Sequence, residues 1–403
     1  MTARVAVVGG GPAGLMAAEV LAEGGAEVTV FDHRANLGRK FLLAGRGGLN
    51  LTHSEPIDQF LDRYGPSRSR LEPAVRGFTP DDLREWAAGL GEPTFVGTSG
   101  RVFPESFRAT PLLRAWIRRL AEAGVSFEMG CRWRGWTDDG LRFERADEKF
   151  AVETDATVLA AGGASWPRTG SDGGWVDEVE AAGVRVERLK PANAGVVVQW
   201  SDAMLDRFEG TPIKNCTVIV GGQGVRGDPI ITRKGLEGGP IYAHSRAIRR
   251  ALDDHGHAWI ELDLQPDLTV EQLAERLDAR RRKGSTVTDW LRRCGVDRPG
   301  VSLMREATRN ALPADSRAMS ELIKAVPINT TEMMPIDRAI SSAGGIPLDE
   351  VDESWMLHKR PGTFVAGEML DWEGPTGGYL LQATFSTAVA AARGVLDRLG
   401  SCG

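Results

Sequence analysis

At 403 residues, 42% apolar and 26% charged, the chain is long enough for two or three compact domains and too mixed in composition for disorder. A net charge of -6 excludes a global attraction to nucleic acid or anionic lipid, and leaves only local basic patches open. The four cysteines (Cys131, Cys216, Cys294 and Cys402) are scattered without a CxxC, which argues against a zinc ribbon, an iron–sulfur cluster or a redox disulfide. Free thiols in a reducing compartment are expected. No apolar run approaches the roughly 18 residues of a membrane span. The short apolar start is closed by Gly9-Gly10-Gly11, so a cytoplasmic protein without a signal peptide is expected.

In chain order, residues 3–8 (ARVAVV) read as a buried parallel strand and residues 12–24 as a helix, with Pro12 in its first turn and Gly24-Gly25 at its end. Residues 26–32 read as a second strand, which makes a β–loop–α–β unit. Residues 33–55 are glycine-rich and basic with no clear period; a loop of that length inside a domain is usually functional. Helices are predicted over 80–90 and 109–124, and strands over 125–129, 141–145, 149–153 and 155–160, the last running into Ala161-Gly162-Gly163.

The pattern changes at Pro191. Strands are predicted over 194–200 and 216–220, with a hairpin turn at Gly221-Gly222-Gln223-Gly224. A helix over 241–253 and a strand over 257–264 follow, then helices over 269–282, 285–294 and 301–325. His255 and His257 have a spacing that a metal could use, but Asp253, Asp254 and Gly256 favour a polar turn, so no metal is expected. Near the end, a strand over 362–367 and a helix from Gly377 to Leu399 resemble the opening unit. The expected architecture is α/β. A Rossmann-type three-layer ββα domain, 1–190 plus 336–403, is interrupted by a β-rich insertion at 191–335 with a helical subdomain at about 266–325.

Gly9-x-Gly11-x-x-Gly14 is weak alone, yet a strand precedes it and a helix follows. Asp32 closes the second strand about 20 residues on, where a ribose ligand belongs. Gly9 permits the tight turn, Gly11 the approach of a pyrophosphate, and Gly14 close helix packing. The free amides and dipole of the helix start then attract phosphate. This turn does not separate NAD from FAD. The tail does. Gly367-Glu368 follows a strand, and Gly374-Pro375-Thr376-Gly377-Gly378-Tyr379 opens an apolar helix. A strand-end carboxylate suits ribityl hydroxyls, and a helix start suits the flavin N1–C2=O edge, where reduction places negative charge. FAD is the expected cofactor. No second GxGxxG follows a strand, so the electron source is not written in the sequence; NAD(P)H as a transient donor stays open.

Six segments together resemble one family: VAVVGGGPAGLMAAE at the start, LGRKFLLAGRGGLNLTHSE at 37–55, SGRVFPESFRATPLLRAW at 99–116, LAAGGASWPRTGSDG at 159–173, LKPANAGV at 189–196 and AGEMLDWEGPTGGYLLQA at 366–383. The family is that of the aminoacetone-oxidase-like (BaiN-like) FAD flavoproteins, which also holds bile-acid dienone reductases and flavoenzymes linked to dihydrouridine in ribosomal RNA. One departure is that Leu49 stands where most of the family carries a cysteine, the pattern of a separate branch. The resemblance implies that Arg39, Lys40 and Asn50 lie along the pyrophosphate and flavin, and that Ala161, Gly162 and Gly163 form a second nucleotide turn. It also implies that Glu368 approaches the ribityl chain, and Gly378, Tyr379 and Leu380 the flavin pyrimidine edge. Ala13 and His33, beside the first turn and Asp32, complete the expected cofactor set.

Catalytic candidates are Arg168, Arg46 and His53, with Arg101, Glu105 and Trp166 as further polar groups. A cation near flavin would stabilise its reduced form or a developing enolate. Arg168 reads equally as a surface arginine, and His53 as a loop cap rather than a proton donor. Tyr379 could donate a proton or pack on flavin. The basic stretch 276–293, with Trp290 among its charges, could contact RNA phosphates or be a solvated helix face. The expected function is an FAD-dependent oxidoreductase passing hydride between flavin N5 and a small-molecule substrate, an activated C=C or an amine. A flavin-dependent ribosomal-RNA-modifying or RNA-binding protein is the alternative.

Overall fold

The apolar run after Arg4 forms β1 (Arg4–Val8), and every residue of it from Val5 on is buried. The computed structural model describes residues 2–44 and 47–400. Its contacts divide it into one unit of residues 1–190 with 341–403 and a second of residues 191–340.

In the first unit β1 lies at the centre of a five-stranded sheet. β2 (Glu27–Asp32) pairs with one side of β1, and β6 (Ser126–Met129) pairs with β2. On the other side come β10 (Ala156–Leu159) and then β20 (Thr363–Val365). All four pairings are parallel, and the strands are short and apolar because both faces are covered. The chain leaves β1 towards β2 but reaches β10 only later, so the strand order reverses at β1. In open parallel sheets, ligands sit at that reversal, beyond the carboxyl ends of the strands.

One face of this sheet is covered by the antiparallel strands β7 (Arg132–Trp136), β8 (Gly140–Arg145) and β9 (Glu148–Glu153). Phe31 of β2 and Phe143 of β8 stack across the two layers with ring centroids 4.2 Å apart. The other face is covered by helices. The first helix, Pro12–Glu23, packs along the last, Tyr379–Gly400. Fully buried Ala17 and Ala18 on one and Ala388, Ala391 and Ala392 on the other let them approach closely. This gives the Rossmann-type three-layer ββα arrangement.

A smaller antiparallel sheet in this unit joins β3 (Thr52–His53), β5 (Arg101–Pro104) and β4 (Thr94–Val96). Two departures from the sequence reading occur here. Within 33–55, helix Arg39–Ala44 and β3 are too short to display a period. β7 was not anticipated because a bulge between Trp133 and Trp136, with Gly135 at φ +89°, breaks its alternation.

The chain leaves the first unit along β11 (Glu187–Ala192) and returns along β19 (Ser341–Gly345), which pair with each other. The second unit has its own core. β13 (Cys216–Val220) pairs with β14 (Gln223–Gly227) and β17 (Ala258–Asp263), and β17 with β18 (Val326–Thr330). Gly221 and Gly222, at φ +57° and +77°, make the tight hairpin turn expected between β13 and β14. β12 (Val196–Val197), β16 (Gly235–Glu237) and β15 (Ile230–Thr232) form a second small sheet. The strand expected over 194–200 shrinks to the two residues of β12.

Four helices follow β17: Val270–Arg280, Val287–Arg293, Arg298–Ala307 and Ser316–Lys324. Thr269, Thr286, Asp297 and Asp315 cap them, each side chain accepting a backbone N–H of the first turn. The single helix expected over 301–325 is thus two. Arg309 and Asn310 adopt positive φ, and Asp315 starts the chain again as a cap. The expected helix 241–253 is likewise divided, into Gly239–Ala243 and Ser245–His255. Trp290 is buried among Leu273, Leu277 and Leu291, and its indole N–H donates to the Leu277 carbonyl at 2.8 Å. It is a core residue and not an aromatic surface for bases.

Among the described residues no helix is long and apolar enough to cross a membrane. Cys131, Cys216 and Cys294 are buried free thiols, burial pushing Cys216 up to about 12, and Cys402 lies outside the described residues. His257 Nδ1 lies 3.1 Å from the His255 carbonyl, within the turn read from sequence.

Candidate active site and cofactor cradle

Four segments meet at the carboxyl ends of the parallel strands: Gly9–Gly14 after β1, Asp32–His33 at the end of β2, Ala161–Gly163 after β10, and Gly367–Met369 after β20. The three motif glycines differ in what requires them. Gly9 sits at φ +111°, and a Cβ there would lie 2.3 Å from the Ala160 carbonyl oxygen. A Cβ on Gly14 would lie 1.8 Å from the Gly9 oxygen. Both are demanded by the fold. A Cβ on Gly11 would meet nothing within 4 Å, so nothing in the protein requires glycine there. The open space above it is where a diphosphate would come.

Gly11 caps the first helix without a side-chain hydrogen bond, Pro12 occupies the first turn, and that turn holds no acidic residue. The amides of Ala13 and Gly14 have no acceptor within the helix, which leaves them and the positive helix end free for an anion.

Asp32 holds this turn in place. Its Oδ2 accepts the Gly10 N–H at 2.7 Å and its Oδ1 the Arg34 N–H at 2.7 Å. Each oxygen keeps a lone pair for a further donor. His33 is half-buried between Asp32 and Asp172; burial lowers its pKa despite both carboxylates, which keeps the ring neutral near pH 7.

Lys40 and Glu368 form the middle of the cradle. Lys40 Nζ donates to Glu368 Oε2 and to Ser165 Oγ, both at 2.7 Å. Glu368 Oε1 accepts the Ser342 N–H at 2.9 Å, and Ser342 Oγ accepts the Ala164 N–H at 2.8 Å. A Cβ on Gly163 would lie 2.3 Å from Ser342 Oγ, so glycine is needed for this close approach. Arg39, one residue before Lys40, instead lines an open groove of about 680 Å³ with Leu37, Leu42, Ile117, Phe127 and Met129.

At the far end, Gly378 at φ +99° backs onto β3, where its Cβ would lie 2.4 Å from the Thr52 carbonyl carbon. Tyr379 then starts the last helix. Its hydroxyl donates to Glu55 Oε1 at 2.6 Å, and its ring stacks on His53 at 5.3 Å. Burial, and then the bond to Glu55, raise the Tyr379 hydroxyl well above its ordinary range. Burial would raise Glu55 too, but hydrogen bonds from Arg63 and Tyr379 outweigh it and hold that carboxyl low. Leu380 is half-buried on the next position of the helix.

Four buried side-chain atoms around this cradle have no hydrogen-bond partner among the described residues: His33 Nε2, Asn50 Oδ1, Thr52 Oγ1 and Ser171 Oγ. Buried polar atoms left unmatched call for a ligand or water. They run from the Asp32 end to the Gly378 end, as the polar groups of an extended dinucleotide would require. The residues present therefore fit FAD.

The three catalytic candidates fare differently. Arg46 lies outside the described residues. His53 is committed: Nδ1 accepts the Glu55 N–H at 3.1 Å, so Nε2 carries the proton and donates to the Ser99 carbonyl at 2.9 Å. Both ring nitrogens thus meet backbone groups, an arrangement that fastens the loop. Arg168 is exposed on the turn Pro167–Thr169, entered through Trp166 at φ +61°, and its carbonyl accepts from the Arg34 guanidinium. The Glu55–Tyr379 bond and the Lys40–Glu368 pair were not anticipated, since each joins residues more than 300 positions apart.

The parallel sheet with its strand reversal, the amide cradle at its centre and the tail-derived helix define a Rossmann-type FAD-dependent oxidoreductase. The description "HI0933-like protein Rossmann domain" matches residues 3–394. The chain belongs to this HI0933-like family. It is 25% identical to the 3-dehydro-bile acid delta(4,6)-reductase of Clostridium scindens, over 98% of this chain and 99% of that protein. It is 23% identical to the ribosomal RNA dihydrouridine synthase of Escherichia coli, over 97% of each. Among solved structures, the 3-ketosteroid delta1-dehydrogenase of Sterolibacterium denitrificans shares the fold at a TM-score of 0.53, with 14% identity, over 98% of this chain and all of that one (100%).

Proposed function

We propose that the protein reduces an activated carbon–carbon double bond, one conjugated to a carbonyl, in a small and largely apolar molecule. The observation that carries the FAD site beneath this reading is Gly11, a glycine whose missing side chain serves no neighbour and clears only the space above an uncapped helix. When bound, FAD supplies a hydride at its N5. The chain's own residues do the rest. The Ala13 and Gly14 amides take the phosphates. Asp32 and Glu368 accept sugar hydroxyls with their remaining lone pairs, and Lys40 keeps Glu368 in place. The start of the last helix, at Gly377 and Gly378, directs its positive end at the flavin.

Two relatives support the choice of bond. A delta(4,6)-reductase and a dihydrouridine synthase both saturate a ring C=C, so hydride addition to an activated C=C is the chemistry their names share. A small molecule is preferred over RNA here. The aromatic residue of the basic stretch, Trp290, is inside the core, and Arg280 and Arg281 of that stretch bond to the carbonyls of Arg293 and Ala314. NADH or NADPH from solution would reload the cofactor.

The main arm of the test is anaerobic. The yellow protein is reduced with NADPH or NADH and then offered a cyclic enone or ribosomal RNA; in a separate aerobic arm the oxidised protein, without nicotinamide, is given a primary amine. Reoxidation by the enone, with uptake of two hydrogens at the C=C, is expected. Turnover confined to the amine with peroxide release, or to ribosomal RNA, would overturn the reading.

A further inference from the structure

We infer that Arg101 is a further residue of the flavin site, its guanidinium supplying the positive charge that stabilises the reduced cofactor at the N1–C2=O edge. This rests on the FAD reading above and concerns a residue that the cofactor motifs do not include.

The placement follows from the register of the small sheet. On β5, Arg101 pairs directly with His53 of β3, so their side chains share one face. His53 stacks on Tyr379, the first residue of the last helix. The same face therefore leads to the glycines before that helix. A Cβ built on Gly377 would lie 3.7 Å from Arg101 Nε. Gly377 and Gly378 have positive φ, which keeps this corner free of side chains of its own. The Arg101 guanidinium thus lies beside Gly377, at the start of the last helix, and both are positive there.

The other half of the argument is what Arg101 lacks. Arg63, on the same side of the unit, is held by Glu55 at 2.7 Å. Arg101 has no acidic partner among the described residues, and burial does not explain its position, because it is exposed. An arginine on a strand with no counter-ion is available to a ligand. Its surroundings favour that use. Phe103, two residues along β5 and so on the same face, stacks with Phe107 at 4.8 Å and Phe95 at 5.8 Å. Phe107 in turn packs against Gly48, next to Asn50 and its unmatched Oδ1. Phe95 and Phe107 are exposed as well, so this face offers apolar surface near the arginine to a flat ring system.

The chemistry is electrostatic only. Uptake of two electrons and one proton at N5 leaves flavin with one negative charge at the pyrimidine edge, and addition of sulfite at N5 of oxidised flavin likewise places negative charge there. Both report on the charge around that edge without requiring substrate.

The experiment compares FAD-loaded wild type, Arg101→Gln and Arg101→Lys. FAD content is read first from absorbance. The sulfite dissociation constant and the two-electron midpoint potential follow, with thermal stability alongside. All three proteins are expected to hold FAD and to melt together. In Arg101→Gln, sulfite binding should weaken about tenfold, equivalent to a midpoint about 30 mV lower for a two-electron couple. Arg101→Lys should stay within about twofold of wild type, because it keeps the charge. The inference is overturned if Arg101→Gln binds sulfite like wild type, if Arg101→Lys loses as much as Arg101→Gln, or if either variant melts well below wild type, which would make Arg101 a structural residue. A wild type that takes up no FAD would instead sink the underlying reading.

Discussion

Lys40 and Glu368, 328 positions apart in sequence, meet at 2.7 Å between the short helix Arg39–Ala44 and the turn after β20. The pair joins the two ends of the chain across the cofactor cradle. Both side chains are about a quarter exposed or less, so the pair is only partly screened (26% and 19%). Lys40→Met removes the donor from Glu368 and Ser165 together. FAD affinity is expected to fall about tenfold, or about 1.4 kcal/mol, measured by titrating apoprotein and following quenching of FAD fluorescence. Loss of stability should be near 1 kcal/mol, as for a partly exposed pair. Unchanged FAD affinity would remove Lys40 from the site.

The two glycines of the first turn make a paired prediction. Gly11→Ala places a methyl where no protein atom lies within 4 Å, on a backbone with φ −86° that alanine accepts readily. The apoprotein should melt as wild type does, to within about 0.5 kcal/mol, yet bind FAD at least about a hundredfold more weakly because the methyl occupies the diphosphate's place. Gly14→Ala forces its methyl against the Gly9 carbonyl at 1.8 Å. It should lose about 3 kcal/mol or more of stability, with flavin loss as a consequence. If Gly11→Ala stays fully yellow, the helix start does not hold phosphate.

Glu19 gives a pH-dependent prediction away from the site. It is 6% exposed on the first helix, and its Oε2 accepts the indole N–H groups of Trp116 at 2.6 Å and Trp86 at 3.1 Å. Burial raises its pKa above the ordinary 4.5, and the Trp86 bond, Arg119 and the Trp116 bond only partly offset this. A carboxyl with a raised folded pKa favours folding when protonated, and that contribution is lost as pH rises through the folded value. Glu19→Gln mimics the protonated form at every pH. The melting temperature of wild type minus that of Glu19→Gln should therefore increase as pH is lowered from 8 towards 5. Glu19→Ala, which strands the buried indole of Trp116 and the partly buried one of Trp86, should cost about 2–4 kcal/mol at any pH. A wild-type-minus-Gln difference that is flat with pH would contradict the raised pKa.

What the sequence discloses depends on how local the physics is. The turn at Gly9–Gly14 and the hairpin at Gly221-Gly222 are legible because a few consecutive residues decide their backbone. The family resemblance extends that reading to the tail glycines and Glu368. Pairings set by register are not legible in this way. Nothing near Arg101 says that it will face Gly377, and nothing near Glu55 says that it will hold Tyr379. Trp290 misleads for a related reason. Its neighbours Arg292 and Arg293 are charged, but the helical period turns the indole inward onto Leu277 while they sit towards solvent or the helix end. His53 was a fair candidate by residue type. What its sequence neighbourhood does not show is that its ring meets two backbone groups, Glu55 N–H and Ser99 C=O, supplied by loops on either side.

Tyr379 offers the last test, because residue type alone allows two roles there. Its hydroxyl hydrogen is given to Glu55 Oε1 at 2.6 Å, and Arg63 fixes Glu55 in turn at 2.7 Å. A proton donor to substrate must release its hydrogen. This phenol is held by a carboxylate, and burial makes its ionisation harder still. Its ring stacks on His53 at 5.3 Å and packs at a tilt against Phe60 at 4.7 Å, contacts that hold the start of the last helix. Tyr379→Phe should therefore keep FAD, and keep the rate of substrate-dependent reoxidation to within about threefold. It should lose about 1 kcal/mol of stability from the missing hydrogen bond. Tyr379→Ala, which removes the ring, should loosen the helix start and release flavin. Stopped-flow reoxidation of the reduced protein separates the two roles: a drop of about a hundredfold in Tyr379→Phe, the lower range for general-acid catalysis, would make the hydroxyl a catalytic acid in spite of its bond to Glu55.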